Sequence, residues 1–119
     1  MNHVPWLLLL GAALTGCATT QALHVESSAS AIRSAEEHGA ANVPQASLHL
    51  QLAKEEMKKA TDLNEDGDAD EAKSMLLRAE ADAELAIELS HVAAERAEAE
   101  AAMERVRALR AANPTRGAR

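Results

Sequence analysis

No glycine or proline interrupts the chain between Gly67 and Pro114, and alanine dominates that stretch. A run rich in helix formers and free of breakers has one regular solution, because alanine loses no side-chain entropy on becoming helical. The pattern predicts a single helix from about Asp68 to Ala112, about 44 residues or roughly 66 Å. Its acidic start (Asp68, Asp70, Glu71) and basic finish (Arg105, Arg107, Arg110) both suit the helix dipole.

The rest of the 119 residues divides around that helix. Val25 to His38 reads as a first helix, with Gly39 as its left-handed end. Pro44 suits the first position of a second helix, which runs to about Leu63. Ala46, Leu50, Ala53, Met57 and Ala60 recur at helical spacing and define its buried stripe. Asn64 to Asp68 then breaks the pattern, with Asp68 placed to cap the third helix and Glu71 three residues on. On the third helix Leu76, Ala79, Ala83 and Ile87 form one apolar flank, and Leu85, Leu89 and Val92 another, as two neighbours require. Beyond Val92 the helix outruns any partner. The expected fold is all-α, an antiparallel three-helix bundle with a long projecting C-terminal helix. The alternative lays the first two helices end to end along the third.

The N-terminus carries a second kind of signal. Val4 to Leu14 is apolar and is followed by Thr15, Gly16 and Cys17, the only cysteine. A spanning helix needs about 20 apolar residues, and this run has the length of a signal-peptide core. Leu14-Thr15-Gly16-Cys17 resembles the lipobox of bacterial lipoproteins. That resemblance implies cleavage between Gly16 and Cys17, diacylglyceryl (and palmitoyl) lipid on Cys17, and a mature chain fixed to a membrane. Met1-Asn2-His3 departs from the pattern in having no lysine or arginine. Ala18 stands where retained inner-membrane lipoproteins often have aspartate, which implies a periplasm-facing place on the outer membrane. Two or more acyl chains make such an anchor durable.

A second resemblance rests on Ala53-Lys-Glu-Glu-Met-Lys-Lys-Ala60, Gly67-Asp-Ala-Asp-Glu-Ala72 and Ala79-Glu-Ala-Asp-Ala-Glu-Leu-Ala86. These segments resemble the alanine-rich lipoproteins that carry domain of unknown function 4398, over roughly residues 29–97. The family implies no activity and no catalytic residue. The domain plan is therefore a signal peptide at 1–16, a lipidated tether at 17–28, a helical domain at 29–112 and a disordered basic tail at 113–119.

Several motifs are weaker than their spacing suggests. Asp62, Asn64, Asp66 and Asp68 match the first half of an EF-hand calcium loop, but Lys73 stands where the bidentate glutamate belongs. A polar turn between helices explains them as well. Glu88 and His91 have the spacing of di-iron bundles, which need a second copy and further glutamates. His24, His38, His49 and His91 are isolated in sequence, so no metal site and no cofactor is expected. No nucleophile signature or phosphate loop is present, and the chain is read as non-enzymatic.

Net charge is -7, and Trp6 in the apolar run is the only aromatic, so nucleic acid is not an expected partner. Arg105, Arg107, Arg110, Arg116 and Arg119 reverse the acidic balance at the C-terminus. They suit the dipole and a solvated end, or a non-covalent contact with peptidoglycan or anionic lipid. The functional expectation is a lipid-anchored structural or partner-binding module of the cell envelope. Its partners would be the membrane through Cys17 and a second copy or another helical envelope protein. The alternative is a calcium-responsive module using residues 62–70, and an enzyme ranks third.

Overall fold

A computed structural model describes residues 17–113 as three α-helices and one 3₁₀ turn. Helix α1 spans Cys17–Glu37, the turn spans Ala40–Asn42, α2 spans Pro44–Asp66 and α3 spans Ala69–Ala112. Helix α1 begins at Cys17, upstream of the expected start at Val25. The intervening Gln21, Ala22 and Leu23 are good helix formers, and two threonines are too few to break the run. Residues 1–16, read from the sequence as a signal peptide, and the last six residues lie outside the described part.

The helix ends follow local chemistry. Gly39 adopts φ 74° and Gly67 φ 90°, both left-handed. At Gly67 the chain closes α2 with a six-to-one bond, Asp68 N–H to Leu63 O at 2.9 Å, and a second from Gly67 N–H to Asn64 O at 3.3 Å. This is the Schellman arrangement, and it reverses the chain within two residues. Pro44 opens α2 at a position where its missing N–H costs nothing. Asp68 does occupy the N-cap of α3, but its side chain makes no capping hydrogen bond. The Ala72 N–H instead bonds to the Asp68 main-chain carbonyl at 2.9 Å.

Helices α1 and α2 flank the same stretch of α3 from opposite directions. Ser27 bonds to Glu80 and His38 stacks edge-on against His91, so α1 runs parallel to α3. His49 pairs with Asp82 and Glu56 with Arg78, so α2 runs antiparallel to it. Glu36 of α1 also pairs with Lys54 of α2. The side-by-side bundle is therefore the architecture, and the end-to-end alternative is not.

Both neighbours straddle one narrow seam on α3. Its buried residues are Ala72, Leu76, Ala79, Ala83, Ala86 and Ser90, at steps of four and three. The stripe expected on α2 is buried at Ala46, Leu50, Ala53 and Ala60, with Met57 packed against the core. Ile32 and Ala35 complete it from α1. The second flank expected on α3 is not formed that way. Leu85 is 42% and Val92 40% exposed, and only Leu89 is partly covered. Alanine explains the difference: helices that meet through methyl groups approach closely enough for two of them to share one stripe. From Ala94 to Asn113 every residue of α3 and its cap is exposed, so the projecting segment is real.

Candidate functional site

An alanine seam has few knobs to fix how far one helix slides along another, which leaves the polar contacts that cross it to limit that sliding. Between α2 and α3 they form one cluster. The His49 Nδ1–H donates to Asp82 Oδ1 at 2.7 Å, with both side chains about one quarter exposed. One turn away, the Arg78 Nε–H reaches Glu56 Oε1 at 3.0 Å. The Glu56 side chain is only 12% exposed and its Oε2 is buried without a hydrogen-bond partner. Burial, and then repulsion from the Asp82 carboxylate, push the Glu56 carboxyl above its ordinary value, and Arg78 offsets this only in part.

These four residues pair across the two helices at fixed positions along each. His49 and Glu56 are seven residues apart on α2, and Arg78 and Asp82 four apart on α3, so each pair shares a face. The α1 side uses hydroxyls instead. Ser28 is fully buried, with its Oγ 2.8 Å from Leu76 O and 2.7 Å from His24 O. Ser27 donates to Glu80 Oε2 at 2.9 Å. His38 and His91 rings meet at 4.9 Å and 67°, while His38 Nδ1 donates to Ser34 O at 2.8 Å. Sequence spacing gives no hint of these pairs, because they depend on how each helix is rotated.

The residues singled out in the sequence fall elsewhere. Helix α2 continues to Asp66, so Asp62, Asn64 and Asp66 lie on helix rather than on a loop. At 100° per residue, positions two apart point away from one another, which disperses the oxygen ligands a calcium loop would gather. Among the described residues no group of three His, Cys, Asp or Glu side chains could hold a metal ion, Glu88 and His91 included. Arg105, Arg107 and Arg110 are exposed on the projecting end of α3, and Arg107 pairs with Glu104 on the same helix. Cys17 is the first helical residue of α1. Gly16, Arg116 and Arg119 lie outside the described residues.

Two shallow grooves line α3 away from the polar cluster. One, of about 450 Å³, lies where the projection leaves the bundle, between Val43–Gln45 and α3 residues from Leu89 to Glu100. The other, of about 350 Å³, runs along the projection beside Met103 and Val106. No described helix is long and apolar enough to cross a membrane.

The fold and these contacts define a class: an alanine-seamed three-helix module whose polar groups are spent on register and whose open surface is a bare helix. The chain belongs to the family described as Domain of unknown function (DUF4398), which matches residues 24–102. The match takes in α1 from His24 onward, all of α2 and α3 up to Ala102, and stops where Met103 begins the outer half of the projection. No curated protein and no solved structure matches the chain.

Proposed function

We propose that this protein is a lipid-anchored, non-enzymatic lipoprotein of the bacterial cell envelope, facing the periplasm from the outer membrane and offering a helical surface to a partner. The observation that carries the reading is Leu14-Thr15-Gly16-Cys17 at the end of an apolar run of signal-peptide length. The helix order supports it. Because α1 starts at Cys17 and runs parallel to α3, an anchor on Cys17 leaves the projection at the far end of the molecule. The tip at Ala112 would stand on the order of 66 Å beyond the start of α3.

The same geometry sorts the anionic contacts open to the arginines. Arg105, Arg107 and Arg110 would lie far outside a Debye length of the anchoring membrane, so its headgroups are a poor partner for them. Peptidoglycan or a protein at that height is the better one. The non-enzymatic reading draws on the polar cluster, whose ionisable groups are engaged with one another between helices rather than grouped around a cavity.

Metabolic labelling with palmitate and membrane fractionation test the anchor. Wild type is expected to carry label and to sediment with membranes, and Cys17→Ala to lose both. An unlabelled wild-type protein that retains Met1 overturns the reading.

A further inference from the structure

A second seam runs along α3 beside the one that holds the bundle. From Leu85 to Arg110, alternating steps of four and three fall on Leu89, Val92, Arg96, Ala99, Met103 and Val106. It is displaced by one residue from the bundle seam, about 100° around the helix. Six of these eight positions are apolar at the spacing of a coiled-coil seam, and the other two are Arg96 and Arg110. Here it is open: Val92, Met103 and Val106 are 40%, 53% and 45% exposed.

We propose that a second copy of this chain covers this seam, with the two α3 helices antiparallel. The seam is complementary to its own reverse. The register that sets Val92 opposite Met103 also sets Leu89 opposite Val106 and Arg96 opposite Ala99, and two-fold symmetry makes each contact twice. Arginine then meets the smallest residue of the seam, over which its stem can lie while the guanidinium reaches water. The parallel arrangement instead stacks Arg96 on Arg96 and Arg110 on Arg110, two like-charge layers inside the contact.

The groove and the charges agree with that direction. In this register Met103 and Val106 of one copy enter the groove at the root of the other copy's projection, where Leu89 and Val92 form the floor. Residues 80–100 carry Glu80, Asp82, Glu84, Glu88, Glu95, Glu98 and Glu100 against Arg96 alone. Residues 101–113 carry Arg105, Arg107 and Arg110 against Glu104 alone. Antiparallel pairing lays the basic tip on the acidic root, and parallel pairing lays like on like.

The pairing supplies a partner for the module and does not itself require lipid. Where it meets the anchoring reading, on which this step rests, it has a geometric result. The two α3 helices begin about 85 Å apart and point in opposite directions, at 1.5 Å per residue. Copies so paired carry their Cys17 anchors at opposite ends of the dimer.

The test uses the full chain with Cys17→Ser in detergent, so that only introduced thiols react and the anchor plays no part. Val92→Cys and Met103→Cys variants are oxidised separately and mixed. The mixture is expected to give a disulfide-linked heterodimer, and each variant alone to give none. Val106→Glu, placed on an open helix face where helix content by circular dichroism stays unchanged, is expected to abolish the cross-link. Homodimers of Met103→Cys alone mean parallel pairing and overturn the proposal. Sedimentation showing only monomer at all accessible concentrations overturns it as well, while palmitate labelling of the wild type is unaffected by either outcome.

Discussion

Ser28 on α1 donates its hydroxyl toward the main-chain carbonyl of Leu76 on α3 at 2.8 Å, in a position with no solvent exposure. A side chain this small sets the distance between the two helices, and its hydroxyl sets their register. Ser28→Ala keeps the distance and loses the bond, so a loss of about 1 kcal/mol is expected. Ser28→Leu must push α1 outward and is expected to cost about 1–3 kcal/mol beyond that. Urea unfolding followed by circular dichroism compares the two. Equal midpoints for the two variants would mean that α1 is not seated on α3 as described.

Glu56 gives the bundle a pH dependence whose sign is set by its raised carboxyl. Between the ordinary value of 4.5 and the raised one, the folded chain holds more protons than the unfolded chain. Stability contributed by this group therefore falls as pH rises through that window, and the penalty is complete above it. Glu56→Gln lacks the titration. The wild type is expected to gain stability relative to Glu56→Gln on acidification from neutrality toward pH 4.5. A pH series of urea midpoints reads the difference, and a flat one removes the burial account of Glu56.

The turn at Gly67 isolates a backbone effect. A Cβ added there meets nothing within 4 Å, yet φ is 90°. Gly67→Ala is expected to cost about 1–2 kcal/mol from the left-handed backbone alone. Thermal unfolding of Gly67→Ala beside Gly67→Asn checks it, since asparagine tolerates that conformation and should lose less.

The acidic segment before the turn is expected to bind no calcium at micromolar concentration. Asp62 and Asp66 are on helix, and Lys73 replaces the ligand that would close an EF-hand loop. Calorimetry measures this directly. A saturable heat that resists magnesium and disappears in Asp66→Ala would restore the calcium alternative.

Much of the fold was legible because it is written in local chemistry. Gly39, Pro44 and Gly67 punctuate the helices where expected, and the stripe from Ala46 to Ala60 faces the core. The side on which a helix meets its neighbours was less so. Leu85 and Val92 looked like core by hydrophobicity, but Ala86 and Ser90, one or two residues away, are the buried ones. Side-chain size, not apolarity, decides that choice when helices approach closely. The cross-helix pairs His49–Asp82 and Glu56–Arg78 were invisible for a related reason. Each depends on rotation and register of two helices at once, and sequence spacing constrains one helix at a time.

Nine of the twelve buried apolar residues among those described are alanines. Single-base changes at an alanine codon lead to valine, threonine, proline, aspartate, glutamate, serine or glycine. Most of these add bulk, a charge or a broken hydrogen bond to a seam closed by methyl groups, and glycine gives up about 1 kcal/mol of helix propensity. The buried seam therefore tolerates substitution less than the solvated faces that lie outside both seams of α3. Descendants of one ancestral chain would come to share the rhythm of their smallest side chains long after every other resemblance had gone.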